Sequence, residues 1–308
     1  VSTGRAPLPA CSGARRVPRR AAVLGSPVAH SRSPVLHRAA YAALGLDGWT
    51  YEAVECTAEE LPSFVRGLDG SWAGLSVTMP GKRAALETAS SASWRARRVG
   101  AANTLVPREG GWVADCTDVD GVAGALRAAG VRDVPPTVSA ADAVVLGSGA
   151  TACAALGGLD DIGCEGVTLV VRDAQRAAGT LAVARDFGLA RRAVTWADLA
   201  PRDLADARAL VNTTPAGSID AELADRLVAD LPSFAVVLDA VYHPWPTPLA
   251  AAAATRGLTV ATGLDMLLHQ AFGQVEQFTG LPAPREAMHR ALAATTDTPL
   301  LPLPVPLL

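Results

Sequence analysis

The stretch "DAVVLGSGATACAALGGL" (142–159) constrains the fold most tightly. A short apolar run ends at Leu146, glycines follow at 147 and 149, and helix-forming residues begin at once. Strand, glycine turn and helix in direct succession open a parallel βαβ unit, because parallel neighbours need a long crossover. Gly147-x-Gly149-x-x-Ala152 also has the spacing of a dinucleotide-binding turn. The first Gly permits the tight turn, the second lets backbone approach a pyrophosphate, and the small Ala152 lets helix pack on strand. A glycine turn that holds no ligand fits the same string, so the motif alone leaves both readings open.

The alternation extends over the whole chain from about residue 20. "RRAAVLGS", "WTYEAVE" and "WAGLSVTMP" read as strands. Between them, "SPVLHRAAYAAL" reads as a helix with Ser33 as N-cap and Pro34 at its first position, and "TAEELPSFVRGL" as a second helix. "KRAALETA" is helical, and "NTLVPREGGWVADC" reads as a hairpin around Gly110-Gly111. A second block starts near residue 119 with the helix "DGVAGALRAAG", followed by a loop at Pro135-Pro136 and the glycine-turn unit. "GVTLVVRD", "RRAVTW", "ARALVNTTP" and "FAVVLDAVY" continue it, and after "TVATGLDMLLHQAFGQVEQFTG" the chain reads as helical, ending with "REAMHRALAA". The expectation is an α/β chain with mainly parallel sheets in two domains.

Composition agrees and removes other classes. A chain of 308 residues, half hydrophobic and 19% charged, buries a sizeable core. A net charge of −3 gives no global attraction to nucleic acid or an anionic membrane. No apolar run reaches the ~20 residues of a membrane-spanning helix. Cys11, Cys56, Cys116, Cys153 and Cys164 are scattered with no CxxC pair, which suits a reducing, cytoplasmic setting and neither a zinc site nor a disulfide framework. His30 and His37 have no carboxylate or thiolate at ligand spacing, and no metal is expected. Residues 1–20, with five Arg, three Pro and no acid, read as a disordered extension. The prolines of "TPLLPLPVPLL" forbid a helix, so that tail is expected against the body of the protein.

Rare residues point to chemistry. All 27 basic side chains are arginine except Lys82, and the asparagines are only Asn103 and Asn212. Arginine is used everywhere else, so a surviving lysine suggests a task guanidinium cannot perform. An ammonium can release and regain a proton when its surroundings lower its pKa; guanidinium stays charged. A surface lysine after a Pro-Gly turn is the competing reading. The strand after the glycine turn ends Val171-Arg172-Asp173, with Arg176 close behind. Two guanidiniums suit the 2′-phosphate of NADP, whereas an acid favours the free ribose of NAD.

Taken together, the motifs resemble those of the shikimate dehydrogenase family. "GSPVAHSRSPVLH" is similar to its N-terminal motif, which implies that Ser31 and Ser33 hold a substrate carboxylate. "GLSVTMPGK" resembles G-x-N-V-T-x-P-x-K and implies Thr78 as a substrate contact and Lys82 as catalytic. "GAANTL" implies Asn103 as a ligand of substrate hydroxyls, and "DCTDVDG" implies Asp118 as the acid paired with Lys82 and a substrate contact. "VLGSGATA" and "VRDAQR" correspond to the cofactor turn and 2′-phosphate loop, implying Gly147, Ser148, Gly149, Ala150, Thr151, Arg172 and Arg176. "VNTTPAG", "DAVYHPWPTPL" and "GLDMLLHQA" complete the series, with Ala240 and Gly263 on the cofactor and Tyr242 and Gln270 on the substrate. The lone lysine and both asparagines fall inside these motifs.

The resemblance covers about residues 23 to 280. It implies a substrate domain at 21–118, a Rossmann-like NADP domain at 119–263 and C-terminal helices at 264–308 returning to the substrate domain. The implied activity is reversible, NADP-dependent reduction of 3-dehydroshikimate to shikimate, in aromatic amino-acid biosynthesis, by a monomer or homodimer. Alternatives are an NAD-using quinate/shikimate or aminoshikimate paralogue, or a non-catalytic sensor. Ser76 and Cys116 replace family asparagines, and Val171 and Asp173 flank the retained Arg172 where the family usually has N-R-T.

Overall fold

The computed structural model describes residues 17–131 and 143–304. Two six-stranded sheets divide the chain. The first holds β1 (Arg20–Gly25), β2 (Thr50–Glu55), β3 (Trp72–Val77), β4 (Ser91–Ala92), β5 (Thr104–Arg108) and β6 (Gly111–Asp115), in the order β2-β1-β3-β5-β6-β4. The helices between them are α1 (Ser33–Ala43), α2 (Leu61–Arg66), α3 (Lys82–Thr88) and α4 (Trp94–Val99). Pairings β1–β2, β1–β3 and β4–β6 are parallel, while β3–β5 and the β5–β6 hairpin are antiparallel. The hairpin turns at Gly110 and Gly111, as read from the sequence.

The second sheet is parallel throughout: β12 (Thr259–Thr262), β11 (Val236–Asp239), β10 (Ala209–Asn212), β7 (Ala143–Leu146), β8 (Gly166–Val171) and β9 (Ala190–Thr195), in that order. Its inner strands β7, β8, β10 and β11 are buried along their whole length, which is why they read as unbroken apolar runs. The helices are α6 (Ala150–Asp161), α7 (Ala177–Asp186), α8 (Ala221–Ala229) and α9 (Pro248–Thr255). The chain leaves β7 for β8 on one side and returns to β10 on the other, so the strand order switches at the C-terminal end of β7. In open α/β sheets ligands bind at that crevice.

Two helices join the halves. α5 (Asp118–Ala128) packs on both α6 and α10 (Gly263–Thr279). α10 lies against β3, β5 and α1, and α11 (Arg285–Ala293) lies against α1, so the C-terminal helices pack with the first sheet. The proline-rich tail, described as far as Pro304, meets the body at Leu301, whose N–H donates to Asp265 at 2.9 Å.

Some local expectations change. Arg32, not Ser33, occupies the N-cap of α1; Ser33 is the first helical residue, and its N–H faces Ser31 Oγ at 3.3 Å. Pro34 thereby falls second in the helix, where a missing N–H still costs no intrahelical bond. Thr259–Thr262 is a strand that the sequence reading did not single out, its β-branched residues extending the parallel ladder from β11. The loop at Pro135-Pro136, residues 1–16 and Cys11 lie outside the described residues. Arg20 is already in β1, and the Arg19 guanidinium donates to the Gly70 carbonyl.

Candidate functional site

The C-terminal ends of β1, β3, β6, β11 and β12 and the N-terminal end of β5 open on a common cleft of about 240 Å³. The first sheet delivers Ser31 and Ser33 after β1, Thr78 after β3, Lys82 at the start of α3, Asn103 before β5 and Asp118 at the start of α5. The other wall is Thr151 of α6, Ala240 and Tyr242 after β11, and Gly263 and Gln270 of α10. Every candidate substrate contact from the sequence lines this one cleft.

Its floor is an ion pair. Lys82 Nζ donates to Asp118 Oδ2 at 2.5 Å, with side-chain exposures of 17% and 8%. Burial disfavours the ammonium, but the Asp118 charge and hydrogen bond outweigh it, and the Lys82 pKa lies above the ordinary value. The sequence argument required surroundings that lower it. The structure instead keeps Lys82 protonated, the form of a proton donor.

Asn103 connects this pair to α10. Its Nδ2 faces Asp118 Oδ1 at 3.0 Å, Gln270 Oε1 at 3.0 Å and Thr117 Oγ1 at 2.9 Å, while its Oδ1 accepts from the Thr117 N–H at 2.8 Å. The amide therefore separates two acceptors and fixes the free edge of the carboxylate. Tyr242 is half-buried; burial pushes its phenol up, against the pull of Arg32 and Lys82. Cys116, fully buried behind Asp118, is likewise held as a neutral thiol by burial and the neighbouring carboxylate.

The glycine turn lies beyond the cleft along the second sheet. Gly147 has φ +111°, and a Cβ there would come within 2.7 Å of Thr213 Oγ1, so both backbone and space demand glycine. Gly149 is the N-cap of α6 with no side-chain cap, and the first turn carries no acid. The first-turn N–H groups and the helix dipole therefore suit an anion, and the residues present fit a dinucleotide pyrophosphate. Ser148, Ala150 and Thr151 complete the turn. Arg172 is exposed at the end of β8, and Asp173 Oδ1 accepts from the Gln175 N–H at 2.9 Å, capping a short 3₁₀ turn. Asp173 thus has a structural task independent of any ribose. The side chain of Arg176 lies outside the described residues. Gly263 is required by packing: a Cβ would meet the Ala240 carbonyl at 2.3 Å, which brings these two positions to the cleft together.

Three further polar residues line the cleft that the sequence reading did not assign to the site. Gln274 stands one helical turn after Gln270, and Ser76 two residues before Thr78, so both share a face with a recognised residue. That spacing was the available signal. His30 lines the mouth and stacks on His243 from the opposite wall at 5.6 Å. Among the described residues no cluster of three or more His, Cys, Asp or Glu comes together, and no helix is long and apolar enough to cross a membrane.

Comparison with known proteins points to one family. Residues 23–105 match the shikimate dehydrogenase substrate binding domain, and residues 263–293 match the shikimate 5′-dehydrogenase C-terminal domain. The NADP(+) shikimate dehydrogenase of Methylobacterium radiotolerans is 40% identical over 268 residues, covering 86% of this chain and 93% of that one. The crystal structure of Mycobacterium tuberculosis shikimate dehydrogenase superposes with a TM-score of 0.79 at 52% identity, covering 91% of this chain and all of that one. The Thermus thermophilus enzyme, solved with NADP(H) and shikimate, gives 0.74 at 34% identity over 90% of this chain and 100% of that one. The chain belongs to the shikimate dehydrogenase family.

Proposed function

We propose that this protein catalyses the reversible, NADP-dependent reduction of 3-dehydroshikimate to shikimate. The observation that carries the proposal is the buried Lys82–Asp118 pair at the floor of a cleft between an α/β sheet and a dinucleotide turn. Residues 21–118 form the substrate domain, 119–263 the NADP domain, and 264–308 return to the substrate domain. Ser31 and Ser33 hold the carboxylate, while Thr78, Asn103, Tyr242 and Gln270 hold the ring substituents. A site of paired polar groups rejects analogues that leave one of them unmatched. Gly147 to Thr151 take the pyrophosphate, Arg172 and Arg176 the 2′-phosphate, and Ala240 and Gly263 the nicotinamide end. When bound, the nicotinamide supplies the hydride. Lys82 holds a proton beside the carbonyl oxygen that becomes the hydroxyl, and Asp118 keeps the ammonium charged and aimed. In the oxidation direction Lys82 must first be neutral, so that rate rises toward alkaline pH. The enzyme works in the cytoplasm as a monomer or homodimer, consistent with the free cysteines among the described residues.

The test is the initial rate of shikimate oxidation with NADP and with NAD, for the wild type and Lys82→Ala. NADP preference and a loss of turnover of about 10²–10⁴-fold in the variant are expected. NAD preference would overturn the assignment of Arg172 and Arg176 and make quinate the next substrate. Unchanged turnover in Lys82→Ala would overturn the role of the pair.

A further inference from the structure

We propose that Thr180 of α7 is a positioning residue for the cofactor, holding the Ser148–Gly149 peptide of the glycine turn so that it presents its N–H, not its carbonyl, to the pyrophosphate. The inference rests on the reading that this turn binds a dinucleotide.

Thr180 is 3% exposed, and its Oγ1 donates to the Ser148 carbonyl at 3.0 Å, 32 positions away in the chain. A threonine inside a helix commonly turns its hydroxyl back to a carbonyl of the preceding turn. Thr180 commits its single proton to another element instead. The hydroxyl oxygen also faces Cys153 Sγ at 3.8 Å, so the thiol is the donor in that contact. Burial pushes the Cys153 thiol up, which keeps it protonated for that role. Cys153 stands one turn after Gly149 in α6, so the glycine turn, α6 and α7 meet at one buried hydroxyl.

The Ser148–Gly149 peptide is trans, and in a trans peptide C=O and N–H point in opposite directions. A Ser148 carbonyl drawn inward to Thr180 therefore turns the Gly149 N–H outward, and Gly149 is exposed. Gly149 is extended, with φ −88° and ψ −173°, and a Cβ there would meet nothing within 4 Å. Neither its conformation nor packing within the chain demands glycine, so the open side is left for a ligand. The same freedom works against the site. Turning this peptide over changes ψ of Ser148 and φ of Gly149, and glycine accepts either sign of φ. The turned peptide would aim a carbonyl oxygen at the anion and remove a donor from the N-terminus of α6. The Thr180 hydroxyl supplies a bond that the turned form lacks.

The experiment measures, by titration calorimetry, the binding of NADP and of adenosine 2′-phosphate, which has no pyrophosphate, to the wild type, Thr180→Val and Thr180→Ser. Thr180→Val keeps the shape of the side chain and removes the hydroxyl; Thr180→Ser keeps the hydroxyl. Thr180→Val is expected to weaken NADP about three- to tenfold and to leave adenosine 2′-phosphate unaltered, while Thr180→Ser restores NADP affinity. Because α7 follows directly on the loop of residues 172–176, a merely loosened helix would weaken both ligands. An equal loss for both, no loss for NADP, or a Thr180→Ser variant as weak as Thr180→Val would overturn the inference. Thr180→Ala carries the test if Thr180→Val fails to fold. A wild type that binds no NADP would overturn the cofactor assignment, and the inference with it.

Discussion

At the scale of single residues, the two asparagines share one arrangement. Asn103 Nδ2 donates to the buried Asp118, and Asn212 Nδ2 donates to Asp239, itself 0% exposed, at 2.9 Å. Each also accepts on Oδ1, Asn103 from the Thr117 N–H and Asn212 from Thr214 N–H and Oγ1. Only an amide donates and accepts at that length. An aspartate at either place would set two carboxylates about 3 Å apart out of water. Asparagine is scarce in this chain, and at each of these two positions the chemistry needs an amide. Asn212→Asp tests this away from the cleft. Burial already pushes the Asp239 pKa up against its three hydrogen bonds, so a second carboxylate has no counter-charge there. The variant is expected to lose about 3 kcal/mol of stability in chemical denaturation at pH 7. It should lose distinctly less at pH 5, where the pair retains one proton. An equal loss at both values would show that shape, not charge, selects asparagine.

At the scale of elements, the site depends on how closely α5 and α10 approach. A Cβ at Gly121 of α5 would lie 2.8 Å from the Met266 carbonyl and 3.0 Å from Gln270 Cβ, and one at Gly124 would lie 2.4 Å from His269 Nδ1. The two glycines let backbone pack on backbone, which sets Gln270 within reach of Asn103. Gly121→Ala would push α10 outward and carry Gln270 with it. The expected result is a stability loss of about 1–3 kcal/mol together with a raised KM for shikimate. A stability loss with KM unchanged would show that α10 tolerates the shift. Such helix contacts lie beyond a reading by period. The strands β7, β8, β10 and β11 were legible because they are buried on both faces, and the glycine turn because φ at Gly147 admits little else. Lys82, Asn103 and Asp118 were legible through rarity and motif. Ser76 and Gln274 were not, because their tasks arise from neighbours 198 positions apart in the chain. The cap of α1 was misassigned by one residue, since serine before proline satisfies the cap pattern whether it stands outside or inside the first turn.

At the scale of the whole molecule, buried polar groups make stability depend on pH. Arg95 of α4 bridges Asp115 at the end of β6 (2.6 Å) and Asp120 in α5 (2.8 Å), and Gln277 of α10 donates to Asp115 at 2.7 Å, so four elements meet at one clasp. Two histidines are buried with no carboxylate partner among the described residues: His37 between α1 and α10, and His269 in α10 against α5. Burial, only partly offset by the Gln274 hydrogen bond, lowers the His37 pKa to about 3; burial and nearby Arg285 lower that of His269 to about 4. Both folded values lie below the unfolded value of 6.5. Between those limits the unfolded chain binds more protons than the folded one, so stability falls as pH drops below about 6.5. The loss continues to about pH 4 for His269 and about pH 3 for His37, below which both states are protonated. At pH 5 each histidine accounts for a loss of about 2 kcal/mol relative to pH 7. His37→Phe retains an aromatic ring against Tyr51 and cannot titrate. Its own stability at pH 7 will be lower, because Gln274 loses a neighbour, but its further loss on going to pH 5 should be smaller than that of the wild type by about 2 kcal/mol. Urea denaturation of both proteins at the two pH values measures the difference, and parallel losses would mean that His37 is protonated in the folded state.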